Sequence, residues 1–129
     1  FTEKKYIIKN ALMYLNTPYL WGGRSPVGID CSGFIQMVYR LQGIKLPRDA
    51  YQQAEVGRTL KSVGESEAGD LAFFENKEGK INHVGIIMKN NYIIHASGKV
   101  RIDKLDQQGI FNDDLGTHSH KFGLIKSII

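Results

Sequence analysis

The chain has 129 residues, of which 42% are hydrophobic and 23% charged. These values are typical of one soluble globular domain over residues 1–129, long enough to bury a core without disulfide bonds. The net charge is +4 without any block of Lys and Arg, which argues against nucleic-acid binding, and no apolar run approaches the length of a membrane helix.

The chain begins without Met and without the apolar region of a signal peptide. We therefore expect a processed form, an excised domain or a trimmed piece of a longer protein.

Helical spacing marks the start of the chain. A first helix is predicted, with Thr2 as its N-cap and an apolar stripe formed by Ile8, Leu12 and Leu15. A loop rich in glycine follows over residues 18–28 and carries Tyr19 and Trp21. Aromatic rings on such a loop indicate walls for a ligand.

Two further helices are predicted before residue 68. The second begins at Asp30 or Cys31 and runs to about Gln42, because Asp30 is a good N-cap. Its inward face is expected to consist of Phe34, Val38 and Leu41. A short third helix is expected after Asp49, which resembles the first residue of a capping box with Gln52.

The pattern changes to strands after residue 68. Strands are predicted over residues 71–74, 83–88, 92–96, 100–105 and 122–129, with a long polar loop over residues 106–121. Helices followed by hairpin-linked strands indicate an α+β domain with an antiparallel sheet.

The single cysteine, Cys31, is predicted in the first turn of the second helix. Free N–H groups and the helix dipole favour a negative charge there, and a neighbouring imidazolium can lower the thiol pKa further. Many single cysteines are only small buried apolar residues. An N-cap before Cys31 and the small residues Ser32 and Gly33 after it instead favour a nucleophile that a substrate backbone can approach.

Two histidines are predicted to lie near each other on adjacent strands. If the turn consists of residues 89–91, Gly85 pairs with His95, and His83 is then a diagonal neighbour of His95 on the same face. Gly85 on that face would leave room for the start of the second helix, and the opposite face, with Val84 and Ile86, would be the core face. This placement favours a Cys–His–His set in which His83 is the general base and His95 orients it.

Two other interpretations of these histidines remain open. A lone strand histidine is often structural, and Cys31, His83 and His95 are also ligand types that bind zinc, although no short clasp of the Cys-x-x-Cys kind is present. His118 and His120 fall in the predicted polar loop, where we expect solvent exposure.

Five ordered blocks resemble the NlpC-type papain-like cell-wall peptidases. These blocks span residues 18–23, 28–34, 69–74, 82–86 and 94–96, which is nearly the whole chain. The resemblance implies a papain-like α+β fold with N-terminal helices packed on a central antiparallel sheet. It also implies that Cys31, His83 and His95 form a Cys–His–His triad, without a metal or an organic cofactor.

The resemblance is strongest to the subgroup that cleaves the bond between the γ-carboxyl of D-glutamate and a diamino acid in peptidoglycan stem peptides. It implies that the Tyr19 hydroxyl helps to form the oxyanion hole. The residues that it implies for the substrate pocket are Trp21, Asp30, Ser32, Asp49 and Ala50. Asp30 and Asp49 would then meet a free N-terminal amine, although both also suit helix N-caps.

The expected partners are peptidoglycan stem peptides or muropeptides, with no nucleic acid and no membrane span. Longer relatives carry N-terminal SH3-like domains, and the resemblance suggests the cell envelope, the periplasm or secretion, or the cytoplasm for muropeptide recycling. Two alternative functions remain: acyl transfer or amidase chemistry on the same scaffold, and a catalytically silent wall-binding module.

Overall fold

The first helix, α1, spans Lys4–Leu12 in a computed structural model that describes residues 4–25 and 28–129. It buries Ile7 and Ala11, which are four residues apart and share one face of the helix. The predicted stripe is wrong, because Leu12 and Leu15 are 43% and 39% exposed while Ile8 is only partly buried. The predicted cap Thr2 lies outside the described residues.

The second helix, α2, spans Cys31–Arg40 and confirms the predicted start. The Asp30 side chain caps it by accepting a hydrogen bond from the Gly33 N–H at 2.7 Å. Phe34 and Val38 are buried as predicted, but Leu41 is 53% exposed because it lies at the C-cap, beyond the last helical turn. A short helix, α3, spans Ala50–Gln53, with the predicted capping box of Asp49 and Gln52.

Nine strands accompany these helices in the described part of the chain. They are β1 (Arg24–Ser25), β2 (Gly28–Ile29), β3 (Arg58–Leu60), β4 (Leu71–Glu75), β5 (Ile81–Met88), β6 (Tyr92–Ser97), β7 (Lys99–Asp106), β8 (Gly109–Asn112) and β9 (Thr117–Ser127). A small ladder joins β1 to β2, and the main sheet has the antiparallel order β3-β9-β4-β5-β6-β7-β8. Because β8 also pairs with β9, six of these strands form a closed, barrel-like ring.

The long loop predicted over residues 106–121 is wrong. Strand β8 and the first half of β9 lie within it, joined by turns rich in Asp, Asn and Gly. Asp106 organises the first turn by accepting backbone hydrogen bonds from Gln108 and Gly109. The polar turn residues gave no sign of the short β7–β8 and β8–β9 pairings, which form because the sheet closes on itself.

The β5–β6 hairpin has the predicted register. Met88 pairs with Tyr92 and Gly85 with His95 across a turn over residues 89–91. Asn90 and Asn91 both have φ near +60°, a left-handed conformation that asparagine tolerates better than most residues. The turn therefore places His83 and His95 on one face of the sheet.

Both faces of the sheet are buried. The helices pack against one face in a core that includes Phe34, Val38, Val84 and Ile86. The other face closes on itself inside the ring in a second core that includes Phe74, Ile87 and Ile93.

The face that carries the histidines is therefore interior, not open, and Gly85 serves a different purpose from the one predicted. A Cβ at Gly85 would lie 2.7 Å from Ile93 Cδ1 and 2.9 Å from His95 Cβ, so its close neighbours belong to β6 and not to α2.

Within the described ranges, no helix is long and apolar enough to cross a membrane.

Candidate active site

Cys31 lies where the start of α2 meets the start of β5. Its Sγ is 4.0 Å from the Asn82 carbonyl oxygen, and the backbone of Val84 hydrogen-bonds to the sulfur. A bulge in the β4–β5 pairing lies here, because Phe74 pairs with His83 while the next residue, Glu75, pairs with Ile81. The extra residue, Asn82, faces the thiol, as bulges often do when they redirect groups beside a site.

The environment of the thiol differs from the expectation of a low pKa. Burial raises the pKa of Cys31, and the negative charge of Asp30 raises it further. Hydrogen bonds from the backbone of Val84, Ser32 and Cys31 itself oppose this rise but do not reverse it. These effects favour a neutral thiol at rest, so a base is needed to remove its proton if the sulfur is to attack a carbonyl.

Two buried imidazoles and a carboxylate form a chain of hydrogen bonds beginning at His83. His83 Nε2 lies 2.9 Å from His95 Nδ1, and His95 Nε2 lies 2.7 Å from Asp103 Oδ2. His83, His95 and Asp103 are 6%, 1% and 7% exposed. The two predicted histidines therefore meet directly, and Asp103, which sequence reasoning missed, completes the chain.

His120 is a second residue that sequence reasoning missed. It was expected to be exposed, but it lies half-buried on β9, and its ring stacks on the His83 ring with a centroid distance of 4.0 Å. Burial, then His120, then His95 lower the pKa of His83 well below its ordinary value. His118 is also partly buried, and it binds Asp106 at 2.8 Å outside this cluster.

Three ring nitrogens, one each from His83, His95 and His120, lie within 4.8 Å of one another, a separation short enough for a metal ion to bridge. The ring geometry argues against coordination. The stacked planes of His83 and His120 are inclined by only 22°, so their in-plane lone pairs do not converge on one cation. Both nitrogens of His95 already have partners at hydrogen-bond distance, which weighs equally against the zinc set of Cys31, His83 and His95.

An open cavity of about 590 Å³ lies in front of Cys31. Seven of the nine predicted site residues line it, and His83 and His95 are buried and do not. The predicted residues are Tyr19, Trp21, Asp30, Cys31, Ser32, Asp49 and Ala50; further lining comes from Gly22, Arg48, Tyr51, Ile81 and Asn82. Trp21 is 85% exposed at the cavity, so its ring is available to a ligand.

Asp30 lies in this cavity with all its acceptor positions filled. Its Oδ1 accepts from Gly33 N–H at 2.7 Å and from Arg48 Nη1 at 3.1 Å. Its Oδ2 accepts from Gly22 N–H at 3.0 Å and from Arg48 Nη2 at 2.8 Å. A carboxylate has about four such positions. Asp30 therefore has none left for a substrate ammonium group, which corrects the role expected for it.

Arg48, a residue that sequence reasoning also missed, holds this corner together. Its guanidinium binds Asp30 with two parallel hydrogen bonds and also donates to Ser32 Oγ at 2.9 Å. Burial alone would raise the pKa of Asp30, but the hydrogen bonds from Arg48, Gly33 and Gly22 lower it below its ordinary value. Asp30 is a fixed anion paired with a fixed cation.

Tyr19 lies at the cavity edge, 36% exposed. Burial raises the pKa of its phenol, and so do the Cys31 sulfur, when it is ionised, and the charge of Asp30. The hydroxyl thus stays protonated and remains a hydrogen-bond donor at the edge of the cavity that Cys31 also lines.

Comparison with known proteins places this site in a family. The model of the NlpC/P60 family matches residues 16–117, which is more than half of the chain. The chain belongs to the NlpC/P60 family. Members of this family are cysteine peptidases, so the family resemblance seen in the five sequence blocks is confirmed.

Two curated relatives have names that describe their activity. The chain is 41% identical over 92 residues to the gamma-D-glutamyl-L-lysine dipeptidyl-peptidase of Bacillus subtilis, covering 70% of this chain and 31% of that protein. It is 41% identical over 125 residues to the bifunctional muramidase/DL-endopeptidase CwlT of the same species, covering 93% of this chain and 36% of that protein. The chain thus spans about a third of the length of these NlpC/P60 relatives.

A solved structure has the same fold. The NlpC/P60 family protein from Bacillus cereus superposes with a TM-score of 0.83 at 27% identity, covering 98% of this chain and 40% of that one. The match extends to the closed antiparallel sheet and the small number of helices, so the NlpC/P60 fold accounts for nearly the whole chain.

Proposed function

We propose that this domain is a cysteine endopeptidase that hydrolyses the amide bond between the γ-carboxyl of D-glutamate and a diamino acid in peptidoglycan stem peptides. The observation that carries the proposal is the junction of α2 and β5. There the Cys31 thiol lines the cavity and contacts the backbone of Asn82 and Val84, the two neighbours of the buried His83. His83 is in turn hydrogen-bonded to His95. The names of two relatives, a gamma-D-glutamyl-L-lysine peptidase and a DL-endopeptidase, support the same substrate class.

The proposed acylation starts from a neutral thiol and a neutral imidazole. His83 accepts the Cys31 proton as the sulfur forms a bond to the carbonyl carbon, and the carbonyl oxygen becomes an oxyanion. The Tyr19 hydroxyl and the Cys31 backbone N–H stabilise that oxyanion. The carbon–nitrogen bond then breaks, His83 gives its proton to the leaving amine, and a thioester remains on Cys31.

Deacylation repeats these roles with water. His83 takes a proton from water as its oxygen attacks the thioester carbonyl, and the carbon–sulfur bond breaks. The proton returns to the sulfur, and the product leaves as a carboxylic acid that gives its remaining proton to solvent. His95 holds the His83 ring in place throughout, as the third member of the triad. As in the papain-like arrangement, a helix supplies the cysteine and the sheet supplies the two histidines.

Substrate recognition is assigned to the cavity wall. Asp49 is exposed there and carries a negative charge, which suits a free N-terminal ammonium group on the substrate. Asp30 acts indirectly, since its pairing with Arg48 fixes Ser32 and the start of α2. The Trp21 ring offers an apolar wall, and Ala50, a buried residue that also lines the cavity, has no hydroxyl to donate.

The test is mass spectrometry of defined stem peptides after incubation with the domain. The peptides carry diaminopimelate or lysine at the third position, each with a free and an acetylated N-terminus. We expect a new carboxylate at D-glutamate and a free diamino acid amine, and we expect Cys31→Ala to abolish both while its circular dichroism spectrum stays unchanged. Cleavage that persists in Cys31→Ala, or no cleavage of any of the four peptides, contradicts the proposal.

The same experiment separates the alternative functions. Added hydroxylamine intercepts an acyl-enzyme as a hydroxamate, and a hydroxamate that replaces hydrolysis products at low amine concentration would favour acyl transfer. Binding to purified peptidoglycan without any product would favour a silent wall-binding module.

A further inference from the structure

The buried carboxylate of Asp103 ends the chain of hydrogen bonds that begins at His83. Its Oδ2 lies 2.7 Å from His95 Nε2, and Asp103 is 7% exposed on β7. We propose that Asp103 is a positioning residue that sets which ring nitrogens of both histidines carry protons, making His83 a base towards Cys31. This inference rests on the proposed cysteine mechanism and adds a fourth member to it.

The proton positions follow from the acceptor at the end of the chain. An ionised carboxylate only accepts hydrogen bonds, so His95 must carry its proton on Nε2. In a neutral imidazole the other nitrogen then has a lone pair, so His95 Nδ1 accepts from His83 Nε2–H at 2.9 Å. His83 therefore carries its proton on Nε2, and its Nδ1 is left with the lone pair that a base requires.

The opposite arrangement would disable the base. If His95 carried its proton on Nδ1, it would donate to His83 Nε2, and His83 would then hold its own proton on Nδ1. That nitrogen could no longer take a proton from a thiol. Without an acceptor at Asp103, nothing else among the partners found for His95 selects between the two arrangements.

The charge of Asp103 has a second effect. When His83 takes the proton from Cys31 it becomes an imidazolium in a buried site, and a buried cation is costly unless a negative charge is close. Asp103 supplies that charge across His95. Among the described residues, two further titratable or charged groups lie close to this chain of hydrogen bonds: Arg101 on β7, which binds Asp103, and His120 on β9, which stacks on His83. Cys31 at the start of α2 contacts the backbone on both sides of His83.

Arg101 opposes this charge effect. Its Nε donates to Asp103 Oδ2 at 2.9 Å and its Nη2 to Oδ1 at 3.1 Å, while Nη2 also reaches Asp114 at 3.2 Å. Removing the arginine leaves the carboxylate charge less compensated and should make the imidazolium easier to form. Removing the carboxylate should do the reverse. If the pairing of Arg101 and Asp103 were only structural, removing either side chain would reduce activity equally.

Three variants separate these roles. Asp103→Leu removes both the acceptor and the charge. Asp103→Asn loses the charge but keeps an acceptor. Its amide oxygen should face His95, because the opposite orientation would point the amide NH₂ group at the donors of both His95 and Arg101. Arg101→Gln keeps the acceptor and removes the cation. The control is Asp106→Asn on the same strand, which changes a carboxylate bound to His118 at 2.8 Å outside the site.

The first readout is the tautomer of each imidazole, measured by long-range ¹H–¹⁵N correlation NMR at a pH where the rings are neutral. We expect Nε2–H on both His83 and His95 in the wild type, in Asp103→Asn and in Asp106→Asn. In Asp103→Leu we expect signal from Nδ1–H on His95. Identical tautomers in Asp103→Leu and the wild type overturn the proposal.

The second readout is the pH titration of the same ring nitrogens. Arg101→Gln should raise the midpoint of the His83 titration by about one pH unit, which corresponds to about tenfold in proton affinity, and Asp103→Asn should lower it. Shifts in the same direction in both variants overturn the proposal. Both measurements are made without a substrate, so they remain decisive even if no stem peptide is cleaved.

The third readout is turnover of a cleaved peptide. We expect kcat to fall on the order of 10²-fold in Asp103→Leu and about tenfold in Asp103→Asn, with KM little changed in both. If Asp103→Leu does not fold, the partial rescue in Asp103→Asn and the opposite titration shift in Arg101→Gln still decide. Equal losses in Arg101→Gln and Asp103→Asn would instead assign Asp103 a structural role.

Discussion

The imidazole of His120 stacks on that of His83, with ring centroids 4.0 Å apart, although strand β4 lies between their strands in the sheet. The contact therefore crosses the interior of the closed ring, where Phe74 also touches both imidazoles. Burial and the neighbouring His95 lower the pKa of His120 to about 4, against the weaker opposing effect of Asp103. The stack covers one face of the proposed base and disfavours a second positive charge beside it.

His120→Phe should weaken the acid sensitivity of the fold. In the wild type, the unfolded chain takes up the His120 proton near pH 6.5 and the folded chain only near pH 4, so stability is complete above pH 6.5 and falls towards pH 4. The loss attributable to His120 over this range is about 2 kcal/mol, allowing for its partial exposure. Phenylalanine preserves a ring against His83 and removes the titration.

Urea unfolding at a series of pH values measures this effect. The free energy of unfolding should decline less steeply between pH 6.5 and pH 4 in His120→Phe than in the wild type, and some decline should remain because the pKa of His83 is also lowered. Parallel curves for the two proteins would contradict the prediction.

Gly85→Ala should displace His95 and reduce activity. The added Cβ would meet Ile93 Cδ1 at 2.7 Å and His95 Cβ at 2.9 Å, which requires β6 to shift. Overpacking of this kind typically costs about 1–3 kcal/mol. The thermal unfolding temperature and the rate of peptide turnover should both fall in Gly85→Ala. The control Gly64→Ala should change neither, because its Cβ would have only Ser62 Oγ nearby, at 3.6 Å.

Arg48→Met should destabilise the protein where Arg48 binds Asp30 and Ser32 at the cavity wall. The change leaves the Asp30 carboxylate, which is 5% exposed, with only the backbone donors of Gly22 and Gly33. Losing one partner of such a pair should cost about 1–3 kcal/mol at neutral pH. The matched control is Arg40→Met at the exposed end of α2, and equal melting temperatures for the two variants would refute the assignment.

Asp30→Asn should make Cys31 more reactive towards iodoacetamide at neutral pH. The Asp30 charge raises the pKa of the Cys31 thiol, so its removal lowers that pKa and increases the thiolate fraction. Asparagine still caps α2, and Arg48, freed from its partner, acts in the same direction. Alkylation rates measured across pH should shift towards lower pH in Asp30→Asn and not in Asp49→Asn; a slower reaction of Asp30→Asn would count against this account.

The local signals in the sequence were sufficient for much of the fold. The Asp30 cap, the start of α2 and the β5–β6 register were all predicted, because capping and two-residue side-chain alternation depend only on neighbours along the chain. The prediction of which residues form the buried face of α1 was wrong, since a short helix with apolar residues on several sides is oriented by its packing. The loop assigned to residues 106–121 was wrong for a similar reason, since β8 and the start of β9 are ordered by closure of the sheet.

The candidate site divides in the same way. Residues in recognisable blocks, from Tyr19 to Ala50, were placed around the cavity where they were expected. Asp103 carried a weak signal, since it lies two residues after Arg101, which pairs with His95, but the register of β6 with β7 was not predicted. Arg48 and His120 had no local signal that separated them from ordinary surface residues.

The sequence by itself determined that one cysteine begins a helix, that two histidines share a face of a hairpin, and that the chain belongs among the NlpC/P60 proteins. Those are properties of short segments, in which each residue is fixed by the few beside it. Only the tertiary structure decided that burial and Asp30 raise the pKa of the thiol and that Asp30 is fully paired with Arg48 and the backbone. It also decided that His120 stacks on the proposed base and that Asp103 binds His95. Burial and charge act through space, and the groups that set these properties come from strands far apart along the chain.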